Sequence, residues 1–567
     1  MRRDLRRLAD EPFDLLIIGA GVYGAAMAWD AAQRGLSVAL VDRGDIGGGT
    51  SFNNAKTVHG GVRSLQHGQL GDMREYLRER RAIARIVPHL VHPLPFLLPT
   101  ASNLMRHWLP LRAYFALYDA LTSDRNAGVD PAKRLPASRL VSREECLRQQ
   151  PGALDASADG TSAAADVTGV TGGIVWHDYQ MYSGDRVTLA YVKSAARAGA
   201  AIANYAEVTS LLQRDGRVIG ATVRDRVTND TFDVRATLTA NVTGPWSGEL
   251  LASLAPQRPV AAVVPALSLA MNVITRPVSR DCAVGGSAHG RLFFLAPWIV
   301  AGGRDVTIGG TSHDPFTGTA SALRVTTADV TRLLDDLNLA FPGARLTLDD
   351  VRLVHRGLLP SRLSPGGASG GSPGRVLLLK HSRVRDHRED GWNGLISVVG
   401  VRYTTARQTA EVATDLACTI LERSAVACRT STTPLVGGEI ADYATFVREA
   451  TAASAAPGAP AIDVERLVRL YGTEHTRILD IARECPSLAR PLGAHCPTLG
   501  AEILFAVREE LALHVTDALL RRTGAGAAGH PGDDALTAAA TIMGDALSWT
   551  PERRRDEIEA VERTYII

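Results

Sequence analysis

The stretch Asp14-Leu-Leu-Ile-Ile-Gly19-Ala-Gly21-Val-Tyr-Gly24 places an apolar strand, a three-glycine turn and a helix start in immediate succession. That order is what a dinucleotide-binding βαβ unit requires. Gly19 permits the tight turn, Gly21 lets the backbone approach a pyrophosphate, and Gly24 lets the helix pack on the strand, so that phosphates sit on the positive helix end. A second strand, Leu36 to Val41, ends in Asp42, at the spacing of the carboxylate that takes a ribose hydroxyl. An acid at this position repels a 2′-phosphate, which favours FAD or NAD over NADP.

At 567 residues the chain exceeds one ordinary core, and two or three domains are expected. Its 62 basic residues are offset by 60 acidic ones and are dispersed, which excludes a nucleic-acid footprint. The cysteines, Cys146, Cys282, Cys418, Cys428, Cys485 and Cys496, show neither a C-x-x-C pair nor paired histidine spacing, so no metal or disulfide framework is read. The basic N-terminus lacks an apolar signal core, and no apolar run reaches the roughly 18 residues of a spanning helix. A cytoplasmic, reduced setting is expected.

Along the chain, a glycine-rich polar segment from Gly47 to Arg63 has the character of a binding loop. A charged helix from about Gly71 is stopped by Pro88, and Pro93, Pro95 and Pro99 break the next stretch into extended pieces. Residues 104–121 mix aromatics, aliphatics and bases, and read either as an interfacial helix or as a core-facing helix with a charged rim. Strands are expected at Gly173–His177, Arg217–Val223, Ala236–Val242, Val306–Gly309 and Leu395–Val399. Asp155–Gly173 and Ser364–Gly374 read as surface loops, Ala452–Pro460 as a linker, and the remainder as helical.

Set beside the opening turn, the loop Thr50-Ser51 … Lys56-Thr-Val-His59-Gly60-Gly61-Val-Arg63 resembles that of the FAD-dependent glycerol-3-phosphate dehydrogenases. Asn241-Val-Thr-Gly-Pro-Trp246 is similar to the family's Asn-Ala-Thr-Gly-Pro-Trp, Ile308-Gly-Gly-Thr-Ser to its Ile-Gly-Thr-Thr, and Val399-Gly-Val-Arg-Tyr-Thr-Thr-Ala-Arg407 to its Gly-Gly-Lys-x-Thr-Thr-Tyr-Arg. Tyr471-Gly and Glu502–Glu510 resemble its helical C-terminal part. The resemblance implies an α/β (α+β) flavoprotein with a Rossmann-like FAD-binding domain, a mixed-sheet substrate domain and an all-helical C-terminal domain. Residues 1–430 would interleave FAD segments (10–80, 172–250, 350–425) with substrate segments (81–171, 251–349), and 431–567 would form the helical domain.

It implies FAD as cofactor, hydride transfer from the secondary alcohol of a polyol phosphate to flavin N5, and quinone or oxygen as electron acceptor. Peripheral membrane contact through 104–121 and a homodimer are compatible with it. Gly19, Gly21, Gly24, Asp42, Thr50, Ser51, Lys56, Gly60, Val208, Thr243, Gly244, Gly400, Thr404 and Thr405 would hold the cofactor. Arg63 would grip a phosphate bidentately, Arg402 would stand at the family's lysine position, and His59, His313 or His355 would accept the alcohol proton.

The substrate side departs from the pattern. The family's Gly-x-Arg-Pro is Gly357-Leu-Leu359-Pro360, flanked by Arg356 and Arg362. Its lysine is Arg402, preceded by Val401; the tyrosine after the loop arginine is Ser64; and an aspartate is His313. Losing a bidentate cation removes roughly 1.5–3 kcal/mol, about ten- to hundredfold in phosphate affinity. A different alcohol, a hydroxy acid or an amine is therefore an alternative substrate, and a non-catalytic FAD-binding protein an alternative of another class.

Overall fold

The structure is a computed structural model describing all residues except 103–106, 151–168, 255–262, 301–304, 364–375, 425, 455–461 and 567. The first strand, Phe13–Ile18, is apolar on both faces, with Leu15, Leu16 and Ile17 fully buried, and this places it inside a sheet covered on both sides. Val38–Val41 and Thr231–Asn241 flank it in parallel, Ala201–Ala203 extends the sheet beyond the former and Leu395–Val399 beyond the latter. Helices Val22–Gln33, Gly184–Arg197 and Ala406–Ile420 cover one face. The hairpin Ala206–Arg214/Arg217–Asp225 packs Val218 and Val223 against Leu16 and Ile18 on the other.

A second sheet runs in the order Val376–Leu378, Val351–Leu363, Ala266–Thr275, Asp305–Phe316, Arg291–Ile299, Ala283–Ala288, Val91–Ala101, Val170–Met181, Thr57–Val58. Helix Thr327–Ala340, started by a Thr326/Asp329 capping box, lays Leu333, Leu334 and Leu337 on its back.

Several expectations are corrected in detail. Val351–Leu363 and Val376–Leu378, assigned above to an FAD segment, pair within the substrate sheet, as does Val170–Met181. A 13-residue strand with Ala266–Thr275 along its length for a partner belongs where its ladder is, and the dinucleotide sheet resumes only at Arg383. Pro93, Pro95 and Pro99 do not interrupt Val91–Ala101: it pairs throughout with Val170–Met181, and on its other side only Phe96 and Leu97 are paired, so the missing N–H groups cost little. The C-terminal part is not all-helical, because the hairpin Pro491–Gly493/Cys496–Leu499 sits among its helices. The loop expected at Ser364–Gly374 lies outside the described residues, as do most of Asp155–Gly173 and of the Ala452–Pro460 linker. Among the described residues no helix is long and apolar enough to cross a membrane.

Candidate active site

The two sheets meet over one cavity of about 2290 Å³. This is more than twice the roughly 1000 Å³ at which drug-sized pockets end, as a dinucleotide plus a second small ligand requires. At one end the glycine turn shapes the wall. Gly19 has φ +108° and a Cβ there would lie 2.6 Å from the Val242 carbonyl oxygen, while a Cβ at Gly24 would lie 1.9 Å from the Gly19 oxygen. Gly21 caps the helix Val22–Gln33 with no side-chain partner, leaving its positive end open to the cavity. The Val22 amide donates to Ser51 Oγ at 3.0 Å.

Asp42 accepts from the amides of Ala20 at 2.7 Å and Gly44 at 2.8 Å, and burial nevertheless pushes its pKa up to about 6. Val208, Thr243 and Gly244 line the same half, with Gly244 at φ +58°. Thr50 lines it too, its hydroxyl donating to the Leu358 carbonyl at 3.3 Å.

Part of the lining is cationic. Arg63, on the short helix Val62–Gln66, faces the cavity without a hydrogen-bond or ion-pair partner among the described residues. Arg402 lies across from it, one Nη1 donating to the Lys380 carbonyl at 3.1 Å and the guanidinium 5.2 Å from the Tyr76 ring centre. Enclosure lowers the Arg402 pKa, with Asp72, Tyr23 and Glu75 opposing. His59 and His313 complete the group. Enclosure, with Arg402, Arg63 and Arg80, pushes His59 down against the pull of Asp178. Burial, with Arg291 and Arg63, pushes His313 down to about 4. Both imidazoles are thus neutral at neutral pH and fit to accept a proton. Leu359 also lines the cavity, half-buried, with Lys380 two residues beyond the neighbouring strand Val376–Leu378.

Five expected residues do not line the cavity. Lys56 is fully buried behind the loop, where its ammonium donates to the Phe52 carbonyl at 2.7 Å and Asp185 at 3.2 Å, so it holds the loop's shape and cannot reach a pyrophosphate. His355 is packed edge-on against Phe52 and Trp298, at 5.2 and 6.2 Å between ring centres, and cannot serve as base. The Thr405 hydroxyl turns back to the Arg402 carbonyl at 3.4 Å, while Thr404 lines the cavity and accepts from the His59 amide, also at 3.4 Å. Gly60 faces Arg80 and Tyr118 behind the loop, and Gly24 serves helix–strand packing. Gly400, by contrast, lines the cavity, where a Cβ would run into the Tyr23 ring at 2.0 Å.

Other lining residues were not singled out from the sequence as site residues. Asn272 and Thr311 meet by an Oγ1–H to Oδ1 bond of 2.6 Å across two strands remote in sequence, and Arg43 stacks over Trp246 at 4.8 Å. Tyr23 was readable in principle, since it fills a variable position inside the glycine motif.

These features fit a flavin dinucleotide. The close-packed Gly19 and Gly400, a helix start whose N-cap glycine brings no side chain and the acid Asp42 share one cavity with cations and neutral imidazoles.

The comparisons agree with that geometry. The FAD dependent oxidoreductase family matches residues 14–431, and the C-terminal domain of alpha-glycerophosphate oxidase matches 428–554. The chain is 29% identical to the glycerol-3-phosphate dehydrogenase of Synechocystis sp., covering 98% of this chain and 97% of that protein. It is 32% identical to glycerol-3-phosphate dehydrogenase 2 of Mycobacterium tuberculosis, covering 96% and 86%. The crystal structure of the Bacillus halodurans glycerol-3-phosphate dehydrogenase complexed with FAD superposes over 99% of this chain and 95% of its own, with 25% identity and a TM-score of 0.74. On these matches the chain belongs to the FAD-dependent oxidoreductase family.

Proposed function

We propose that the chain oxidises the secondary alcohol of glycerol 3-phosphate or a closely related polyol phosphate, with quinone or oxygen taking the electrons. FAD, when bound, supplies the hydride-accepting N5. The chain supplies the rest. Arg63 grips the phosphate oxygens, Arg402 neutralises charge on the facing side, and His313 or His59 takes the hydroxyl proton as the carbinol hydrogen leaves as hydride, giving the ketone. Gly19, Gly21, Asp42, Thr50, Ser51, Val208, Thr243, Gly244, Gly400 and Thr404 hold the cofactor. The observation that carries this reading is that Arg63 and the neutral His59 and His313 open into the same cavity as the glycine turn.

Comparing kcat/KM for glycerol 3-phosphate, glycerol and glycerate tests it. The phosphate ester is expected to lead by at least about a hundredfold, the worth of its charge-assisted contacts. Equal turnover of glycerate would favour the second reading, a hydroxy-acid or other alcohol substrate, which the neutral Leu359 supports.

We also place a peripheral membrane contact, on the cytoplasmic face, at helix Trp108–Leu121. Its inner side buries Phe115 and Tyr118, while Trp108, Leu109 and Leu117 are exposed beside Arg112. Sedimentation with liposomes tests this, and protein left in the supernatant would reject it. The chain divides near residue 430, a reading supported by the junction of the two matched families at 428–431.

A further inference from the structure

The C-terminal part touches the cofactor cavity at one residue. Arg521, in the π-helical turn Asp517–Arg522, is the sole cavity-lining residue beyond 430 among the described residues. Its Nε donates to Asp45 Oδ2 at 2.5 Å and its Nη2 to Asp517 Oδ1 at 2.7 Å. Arg522 grips the same Asp45 from both terminal nitrogens, at 2.8 and 2.6 Å. The Tyr205 hydroxyl donates to Asp517 Oδ1 at 2.7 Å. Asp45, Asp517 and Arg522 are buried, and burial opposed by the two guanidiniums leaves Asp45 well below the usual carboxylate range.

Two arginines and two carboxylates out of water are balanced only when all four are assembled, and removing one leaves a buried charge without its partner. The place where this set attaches gives it a second consequence. Asp45 is three residues after Asp42, and both line the cavity together with Tyr205. The loop that continues from Asp45 is tied back to the glycine turn, since the Gly47 amide donates to the Ala20 carbonyl at 3.0 Å. A shift of Asp45 is therefore passed to Asp42 before it and to the glycine turn after it.

We infer that Arg521 is a positioning residue for the dinucleotide: by holding Asp45 from the helical part, it fixes the segment after Asp42 along the adenosine end, so that FAD is retained only while the helical part is docked. This rests on the cavity holding FAD and is independent of which alcohol is oxidised.

The test uses the full-length chain stripped of flavin, wild type against Arg521→Ala and Arg521→Lys. FAD affinity is read by flavin fluorescence, ADP affinity by calorimetry, and thermal unfolding with and without FAD. The Arg521→Ala chain is expected to bind FAD and ADP more weakly by the same factor, about tenfold or more, with Arg521→Lys between it and wild type. The Tm gain on adding FAD shrinks by more than the Tm of the stripped protein falls. Affinities within twofold of wild type, or a loss for FAD without one for ADP, would overturn the inference. If Arg521→Ala does not fold, Arg521→Lys carries the same two comparisons. Wild-type chain that binds neither FAD nor ADP would instead remove the cofactor reading beneath it.

Discussion

Tyr23 and Arg402 are joined by a reciprocal pair of hydrogen bonds: the Arg402 amide donates to the Tyr23 hydroxyl at 2.9 Å, and that hydroxyl donates to the Arg402 carbonyl at 2.6 Å. The Val401 amide adds a third contact at 3.0 Å. A side chain of the glycine-turn helix thus sets the loop that carries the facing cation. Tyr23→Phe leaves these backbone groups unpaired and is expected to cost about 1–3 kcal/mol of stability. It also frees Arg402, so KM is expected to rise while the flavin content stays. A denaturant midpoint with parallel kinetics checks both effects.

Arg63 is an exposed cation with no partner among the described residues. Replacing it with Ala is expected to raise KM about ten- to hundredfold, the worth of a charge-assisted contact, with a smaller change in kcat. Arg63→Lys keeps the charge and loses the fork, so it is expected to recover only part. A KM unchanged in Arg63→Ala would assign the anion to other groups.

Leu359 invites the opposite experiment. Leu359→Arg returns a cation to a half-buried wall position and is expected to lower KM for glycerol 3-phosphate by about tenfold, because Lys380 nearby leaves room for like-charge repulsion to take some of the gain. Rising affinity for the phosphate ester with none for glycerol is the diagnostic result.

The dinucleotide half was legible in the sequence because its physics is local. Strand, glycine turn and acid lie within about 30 residues, and Gly19 and Gly24 each have a steric reason at the position that the spacing marks. Arg63, Arg402 and His313 were found only through resemblance, since the fold brings them together from three distant segments. The sequence could not separate His313 from His355, two histidines on long strands that flank Ala266–Thr275, because the choice depends on Phe52 and Trp298 packing over His355 and closing it off from the cavity. Lys56 misled for a related reason: a lysine in a binding loop looks like a phosphate contact until its partner Asp185, 129 residues away, is in view. Arg521 carried no local signal at all.

His313, pushed down to about 4, stays neutral as pH falls from 7 to about 5 and gains its proton only near 4. Proton acceptance is therefore expected to persist across that range and to fail near pH 4. His313→Gln is expected to slow flavin reduction about 10²–10⁴-fold, the usual worth of a positioned base. If the rate survives, His59→Gln should carry the loss instead. NMR titration of the His313 ring checks the ionisation directly.

Glu510 anchors the docked helical part through Arg186 at 2.9 Å from both terminal nitrogens and through Lys193 at 2.9 Å, and these cations hold its pKa near 2 against the burial that opposes them. With an ordinary value of 4.5, its stabilisation is fully present above about pH 4.5 and is lost as pH falls towards 2. Glu510→Gln is expected to be less stable at neutral pH, by on the order of 3 kcal/mol, and to lose less on acidification. Unfolding midpoints at pH 7 and pH 4 for both proteins measure the difference.

The most direct measurement is anaerobic mixing of the purified, FAD-loaded chain with glycerol 3-phosphate while the visible absorbance of the oxidised flavin is followed. The account predicts bleaching at millimolar substrate and recovery of the colour when quinone or oxygen is admitted. A flavin that stays fully oxidised with glycerol 3-phosphate yet reduces with dithionite would contradict it.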